Sequence, residues 1–259
     1  MISLSHEYAN AFRRAGLREG DIVLLHSGLK PSLQRDQRLH RQNVTKIIFN
    51  ALQQAVGNAG TLIFPTFNFD FSDGNPYDIC RSPSQMGVLS EYARNQGDFR
   101  TGHAIYSFTA FGPCAEQFRD FNNITAYGED SPFELIKRID GKIAVLNLLD
   151  QNSMTFYHHV EQLMNVPYRY HKEFTNDYTD ANGITSKRSY SIFVRDTAAG
   201  VRTDVNAMGE LLWKKGIYQG DRPDSGSGLR VARAQDLFNA TADIIQAGKA
   251  EGLLFNRIA

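Results

Sequence analysis

The chain has 259 residues, 42% hydrophobic and 22% charged, with 28 Lys+Arg against 28 Asp+Glu and a formal net charge of +0. That length can bury a substantial core, and the even charge balance argues against a dedicated nucleic-acid or acidic-membrane surface. The N-terminal residues lack a signal-like apolar run, no stretch reaches membrane-spanning length, and Cys80 and Cys114 are far apart without metal or redox spacing; a cytoplasmic protein with reduced thiols is expected.

Ser5 to Ala15 reads as a short helix closed by Gly16, followed by a buried strand at Asp21-Ile22-Val23-Leu24-Leu25. The turn after it, His26-Ser27-Gly28-Leu29-Lys30, is small and polar enough for backbone N–H groups to approach an anionic or amide ligand, although a plain βα turn has the same composition. Gln34 to Arg41 reads as loop. Val44 to Val56 is an amphipathic helix that stops at Gly57. Thr61 to Phe64 is the next strand. The Pro65 to Phe71 segment leaves it with aromatics that either line a pocket or cover the core. Pro83-Ser84 suits the start of a helix over Val88 to Asn95. A strand is expected from Ile105 to Phe111, and Tyr127-Gly128-Glu129-Asp130-Ser131-Pro132 opens a helix over Phe133 to Arg138.

The stretch from Lys142 to Lys172 concentrates the chemistry. Ile143 to Leu149 is an apolar run of strand length, and Asp150 to Ser153 favours a turn or helix N-cap. In the helical pattern that follows, Thr155, His158 and Glu161 recur every three residues and so share one face. A hydroxyl, an imidazole and a carboxylate therefore meet just past a strand end, where open α/β sheets bind ligands. The neighbouring His159 points elsewhere. Beyond Lys172 the character changes: Asn182-Gly183 signals a hairpin turn inside a β-favouring segment, giving a β excursion over roughly 174–203. A helix over Val205 to Lys215, a flexible loop over Gly220 to Gly228 and a last helix over Ala234 to Ala247 complete the chain. The expected fold is α/β, a central mixed β-sheet flanked by helices, in one domain over 1–259.

In this order, GDIVLLHSGL from Gly20, VGNAGTLIFPTF from Val56, SPSQMGVLSEYAR from Ser82, RTGHAIYSFTAFG from Arg100, YGEDSPFELI from Tyr127, TFYHHVE from Thr155 and GSGLRVARAQDL from Gly226 resemble the aminoglycoside N3-acetyltransferase family. The resemblance implies transfer of an acyl group from acyl-coenzyme A to an amino group of an amino sugar, without a metal. It implies His158 as general base, with Thr155, Glu161 and Glu129 beside it, and it leaves open whether Glu129 or Glu161 orients the ring, with Glu129 favoured. The pieces at His26, Ser27, Gly28, Leu29 and Lys30, at Arg81, Ser84, Gln85 and Met86, and at Ser107 and Phe108 match donor-binding segments. Phe67, Asp70 and Tyr157 are the implied acceptor contacts, and Lys30, Arg81 and Arg230 the candidate phosphate partners.

The chain departs from the family where Ala104 follows His103, where bulky Tyr157 and His159 flank His158, and after Pro167. Those departures fall on the acceptor side. With no net acidic charge to gather a polycation, the sequence favours a nucleotide-linked amino sugar of cell-surface polysaccharide biosynthesis, with an aminoglycoside as the alternative. Small-molecule partners are expected, with no nucleic acid and no membrane; a homo-oligomer is left open. Gln54 to Ala59 matches a Q-x-x-G-x-A pyrophosphate signature, but it ends a helix instead of opening one, so the match is chance. A metal-dependent hydrolase could draw on His26, His103, His158, His159, Glu161 and His171, yet no short-spaced ligand motif is present. A non-catalytic binding protein leaves the Thr155–His158–Glu161 set unexplained.

Overall fold

A computed structural model describes residues 3–258. In chain order the elements are α1 (Leu4–Arg14), β1 (Ile22–Ser27), α2 (Lys30–Arg35), α3 (Val44–Val56), β2 (Thr61–Pro65), β3 (Tyr77–Asp78), α4 (Val88–Gln96) and β4 (Phe108–Phe111). Next come α5 (Glu116–Arg119), α6 (Pro132–Arg138), β5 (Lys142–Leu146), α7 (Phe156–Leu163), β6 (Arg169–Thr179) and β7 (Thr185–Arg195). The chain finishes with β8 (Val201–Thr203), α8 (Asn206–Lys214), β9 (Gln219–Gly220), β10 (Leu229–Arg233), α9 (Ala234–Gln246) and β11 (Phe255–Arg257).

The central sheet runs β4-β2-β1-β5-β10-β9. β1 pairs parallel with β2 and with β5, Leu24 lying between Ile63 and Ile143, while β4, β10 and β9 run antiparallel to their neighbours. The sheet is mixed and flanked by helices, as the sequence reading expected. Alternate side chains of the middle strands enter different cores, because successive residues of a strand face opposite ways. Val23, Leu25, Leu62, Phe64 and Ala144 join α1 and α3 on one face. Leu24, Ile63, Ile143 and Val145 join α6, α7 and α9 on the other. Burial on both faces explains why these strands read as continuous apolar runs.

Several boundaries differ from the sequence reading. Residues 105–107 do not join β4; the His103 Nδ1 accepts from the backbone N–H of Ile105 and of Tyr106 and turns the chain there. β5 stops at Leu146 because Asn147 takes φ 58°, a left-handed backbone that breaks the ladder. Lys30–Arg35 is a short helix where the reading had loop from Gln34, and Leu229–Arg233, not anticipated as a strand, pairs along the full length of β5. The β excursion begins earlier than 174: β6 and β7 pair from Arg169↔Arg195 to Thr179↔Thr185, and the loop holding Asn182-Gly183 spans residues 180–184. Among the described residues, no helix is long and apolar enough to cross a membrane.

Candidate active site

The C-terminal ends of β1, β2 and β5 lie side by side, and the chain leaves β2 and β5 on opposite sides of β1, so a crevice forms there. Its floor is the β1–α2 turn. The Gly28 N–H donates to the Leu146 carbonyl at 2.8 Å, and the Asn147 side chain donates to the Gly28 carbonyl at 2.9 Å and to the Ser32 hydroxyl at 2.8 Å. Asn147 thus spends its unusual backbone on clamping this turn, a role its sequence neighbours do not reveal. Gly87, at φ 92°, brings the 82–87 loop against β1: a Cβ there would lie 3.5 Å from the Ser27 carbonyl. The structure therefore joins two of the three segments matched to the donor, the Ser27–Gly28 turn and the Ser84–Met86 loop.

That loop is stitched to the segment after β2. Gln85 accepts from the Phe69 N–H at 3.0 Å and donates to Asp70 at 2.8 Å, and its own N–H donates to the Phe67 carbonyl at 2.9 Å. Beneath it, buried Arg100 donates to the Ser107 hydroxyl at 2.8 Å and to the carbonyls of Ser82 and Thr66. Ser107 is consequently an interior group, and Phe108 sits edge-on to Phe67 and Phe133 in the core, so neither side chain reaches a ligand as the resemblance implied. Leu29 is likewise core. His26 is buried against Phe67, and its ring is held down to a pKa of about 4 by burial and by the Arg230 charge. Lys30 and Arg81 are exposed.

α7 brings a hydroxyl, an imidazole and a carboxylate to the crevice. Thr155 and His158 face a cleft of about 200 Å³, with Phe67, Phe69, Met86 and Tyr106 on one wall and Thr203 and Val205 on the other. Thr155 occupies the N-cap position of α7 but makes no capping bond. The His158 Nδ1 lies 2.8 Å from Glu161 Oε2, so a proton on Nδ1 donates to the carboxylate and Nε2 keeps its lone pair. Glu161 is itself 1% exposed and is shared with Arg169, whose Nε stands 2.8 Å away. Burial pushes the Glu161 carboxyl up, but the Arg169 charge and the His158 bond outweigh it and leave it below the usual range. Burial and then the Arg169 charge hold His158 below its ordinary value, against the pull of Glu161.

The carboxylate on the ring is Glu161 and not Glu129, which is exposed on the turn before α6. His159 points the other way: its Nδ1 donates to the Tyr127 carbonyl at 2.7 Å and its Nε2 lies 3.2 Å from Glu134. Tyr157 is not an acceptor contact, because its hydroxyl is buried and donates to Asp150 at 2.7 Å beside Tyr218, which donates to the same oxygen at 2.6 Å. Arg230 is not free for a phosphate: it is 1% exposed and pairs with Asp150 at 2.8 Å. Phe67 and Met86 do line the cleft, and Asp70 stands half-buried beside it. The sequence reading missed the roles that Arg169, Asn147 and Asp150 take here. Only Asp150, polar at a strand end, carried a local signal. Among the described residues, no group of three or more His, Cys, Asp and Glu is placed to hold a metal ion.

Residues 32–246 match the profile of the aminoglycoside 3-N-acetyltransferase family. Aminoglycoside N(3)-acetyltransferase IV of Salmonella sp. is 29% identical over 157 residues, 59% of this chain and 56% of the relative, so the match spans little more than half of that protein's length. Among solved structures, the AAC-IIIb complex with coenzyme A superposes with a TM-score of 0.78 at 21% identity, covering 95% of this chain and 97% of the other. A gentamicin complex of aminoglycoside acetyltransferase AAC(3)-IVa gives 0.72 at 21% identity, over 93% and 87% of the two chains. At these identities the structural likeness is one of fold.

Proposed function

Since the chain belongs to the aminoglycoside 3-N-acetyltransferase family, we propose that it moves an acyl group from acyl-coenzyme A to an amino group of an aminoglycoside-type amino sugar, with His158 as general base. The observation that carries this is the His158–Glu161 pair at 2.8 Å, opening on a cleft that Met86 of the Ser84–Met86 loop helps to line. A protonated sugar amine cannot attack a thioester. His158 Nε2 takes its proton, Glu161 stabilises the imidazolium through Nδ1, and the freed amine adds to the thioester carbon. The carbon–sulfur bond then breaks, the proton on His158 passes to the departing thiolate, and the second proton that the nitrogen sheds on becoming an amide leaves to solvent. The Thr155 hydroxyl, uncommitted at the helix start, is the protein group we assign to the oxyanion.

The donor reading is supported by the joined loops at Ser27 and Ser84 and by two adjoining hollows beyond them. One, of about 610 Å³, is lined by Pro31, Gln34, Arg35 and Asn147, and it shares Leu149, Arg222 and Pro223 with the second, of about 260 Å³. For the acceptor, the name of the Salmonella relative and the gentamicin in the AAC(3)-IVa structure favour an aminoglycoside over the nucleotide-linked sugar. The net charge of +0 that motivated the latter is a property of the whole chain and does not set the charge of a cleft. The test is thiol release from acetyl-coenzyme A, in the presence of a chelator, with aminoglycosides and with nucleotide-linked amino sugars. We expect saturable turnover and the higher kcat/KM for aminoglycosides; absence of coenzyme A binding would sink the acyltransferase reading, and a preference for the nucleotide sugar would sink the acceptor.

A further inference from the structure

The carboxylate that orients His158 is itself gripped by a buried cation that the chemistry above does not use. Arg169 opens β6, and its side chain is 5% exposed. Its Nε lies 2.8 Å from Glu161 Oε2, the same oxygen that faces His158 Nδ1. That contact is an ion pair without hydrogen-bond alignment, while Nη1 donates to the Phe193 carbonyl at 3.0 Å and Nη2 to the hydroxyl of Thr203, on the cleft wall, at 3.4 Å. A histidine whose only charged partner is a carboxylate holds its proton more tightly, since the anion favours imidazolium. Here one oxygen faces both cation and ring, and the burial of Glu161 and Arg169 leaves little water to screen their charges from the ring.

We propose, resting on the acyl-transfer reading, that Arg169 is a positioning residue: through Glu161 it keeps the His158 ring neutral, with the proton on Nδ1 and the Nε2 lone pair free for the acceptor ammonium. The groups facing His158 are few. Glu161 comes from its own helix, Arg169 from β6 and Arg195 from the end of β7. The Tyr127 ring comes from the turn before α6, 5.5 Å away, and burial holds its phenol well above the usual range and hence uncharged. Asp150 lines the same cleft but is committed to Arg230 and two tyrosines. The buried Arg169 cation therefore offsets the carboxylate on the ring, whereas Arg195 is exposed and screened by solvent. An imidazolium formed during the reaction is then short-lived and returns its proton readily to the leaving thiolate.

Long-range ¹H–¹⁵N NMR of histidine-labelled protein tests this without any substrate, and the pH profile of kcat/KM tests it with one. In the wild type, His158 should titrate below the ordinary 6.5 of a free histidine and should carry Nδ1–H in its neutral form. Arg169→Gln should move that midpoint upward by about one pH unit or more, and the acid limb of kcat/KM with it. Arg169→Lys, which keeps the charge, should restore most of the shift. A role limited to packing would lower the rate at every pH and leave the midpoint in place. The inference falls if wild-type His158 titrates at or above 6.5, a result that needs no variant to fold. It also falls if folded Arg169→Gln leaves the midpoint unchanged. If the NMR behaves as expected but no amine is acylated from acetyl-coenzyme A, the role of Arg169 stands and the acyl-transfer reading is what fails.

Discussion

Replacing Arg230 distinguishes a buried strut from a ligand-binding cation. Its side chain and that of Asp150 are 1% and 7% exposed and stand 2.8 Å apart, on β10 and just after β5. Asp150 has two further donors, Tyr157 at 2.7 Å and Tyr218 at 2.6 Å, and Arg230 also holds the Leu148 carbonyl. Arg230→Met leaves a buried carboxylate with two neutral partners and orphans that carbonyl. Breaking such a buried pair costs about 3–5 kcal/mol, which for a chain of this size lowers Tm by roughly 6–20 °C at about 2–4 °C per kcal/mol. The double variant Asp150→Leu/Arg230→Met removes both charges and should recover most of the loss, because the penalty lies in the unpaired ion. Urea denaturation of the wild type, Arg230→Met, Asp150→Leu and the double variant gives the coupling, and calorimetry gives coenzyme A affinity. An Arg230→Met protein with unchanged stability and much weaker coenzyme A binding would refute the argument and return Arg230 to the phosphates.

His158→Asn should lower kcat by at least ~10²-fold with little change in Tm, read by thiol release; near-normal turnover removes His158 as the base. Glu129→Gln should leave kcat/KM within about twofold, whereas Glu161→Gln should cost about tenfold or more and also stability, since it strands Arg169; the reverse order would reinstate Glu129. Acid should unfold the protein through its buried histidines: His26 and His103 are held by burial at about 4 and about 3, so the neutral rings favour the native state fully above their unfolded value near 6.5. As pH falls from there towards the folded values, each withdraws about 1.4 kcal/mol per pH unit; urea titrations showing a flat stability between pH 6.5 and 4 would contradict this. Gly87→Ala strains a backbone at φ 92° and displaces the loop seated on Ser27; the expected reading is a several-fold rise in KM for acetyl-coenzyme A, and an unchanged KM would detach that loop from the donor.

Local sequence determined the elements whose signal is periodic. The apolar runs of β1, β2 and β5 are buried on both faces and declare themselves without context. α3 begins and ends where its amphipathic pattern and Gly57 place it. The three-residue spacing of Thr155, His158 and Glu161 set one face of α7 before any packing was known, because helix geometry alone makes such residues neighbours. Tertiary structure decided everything that depends on a partner distant in sequence. The resemblance favours Glu129 over Glu161 as the partner of the ring, yet Glu161 stands on the His158 ring and Glu129 in solvent. Arg230 and Tyr157 read as ligand contacts until both converged on Asp150, and Ser107 until Arg100 enclosed it. Arg169, a basic residue in a stretch where family likeness fades, carries no local sign of a place beside His158; its ion pair crosses from a helix to a hairpin. Periodicity fixes which way a side chain leaves its own backbone, whereas the worth of a charge depends on what excludes water from it and which ion stands opposite, and both are supplied by other parts of the chain.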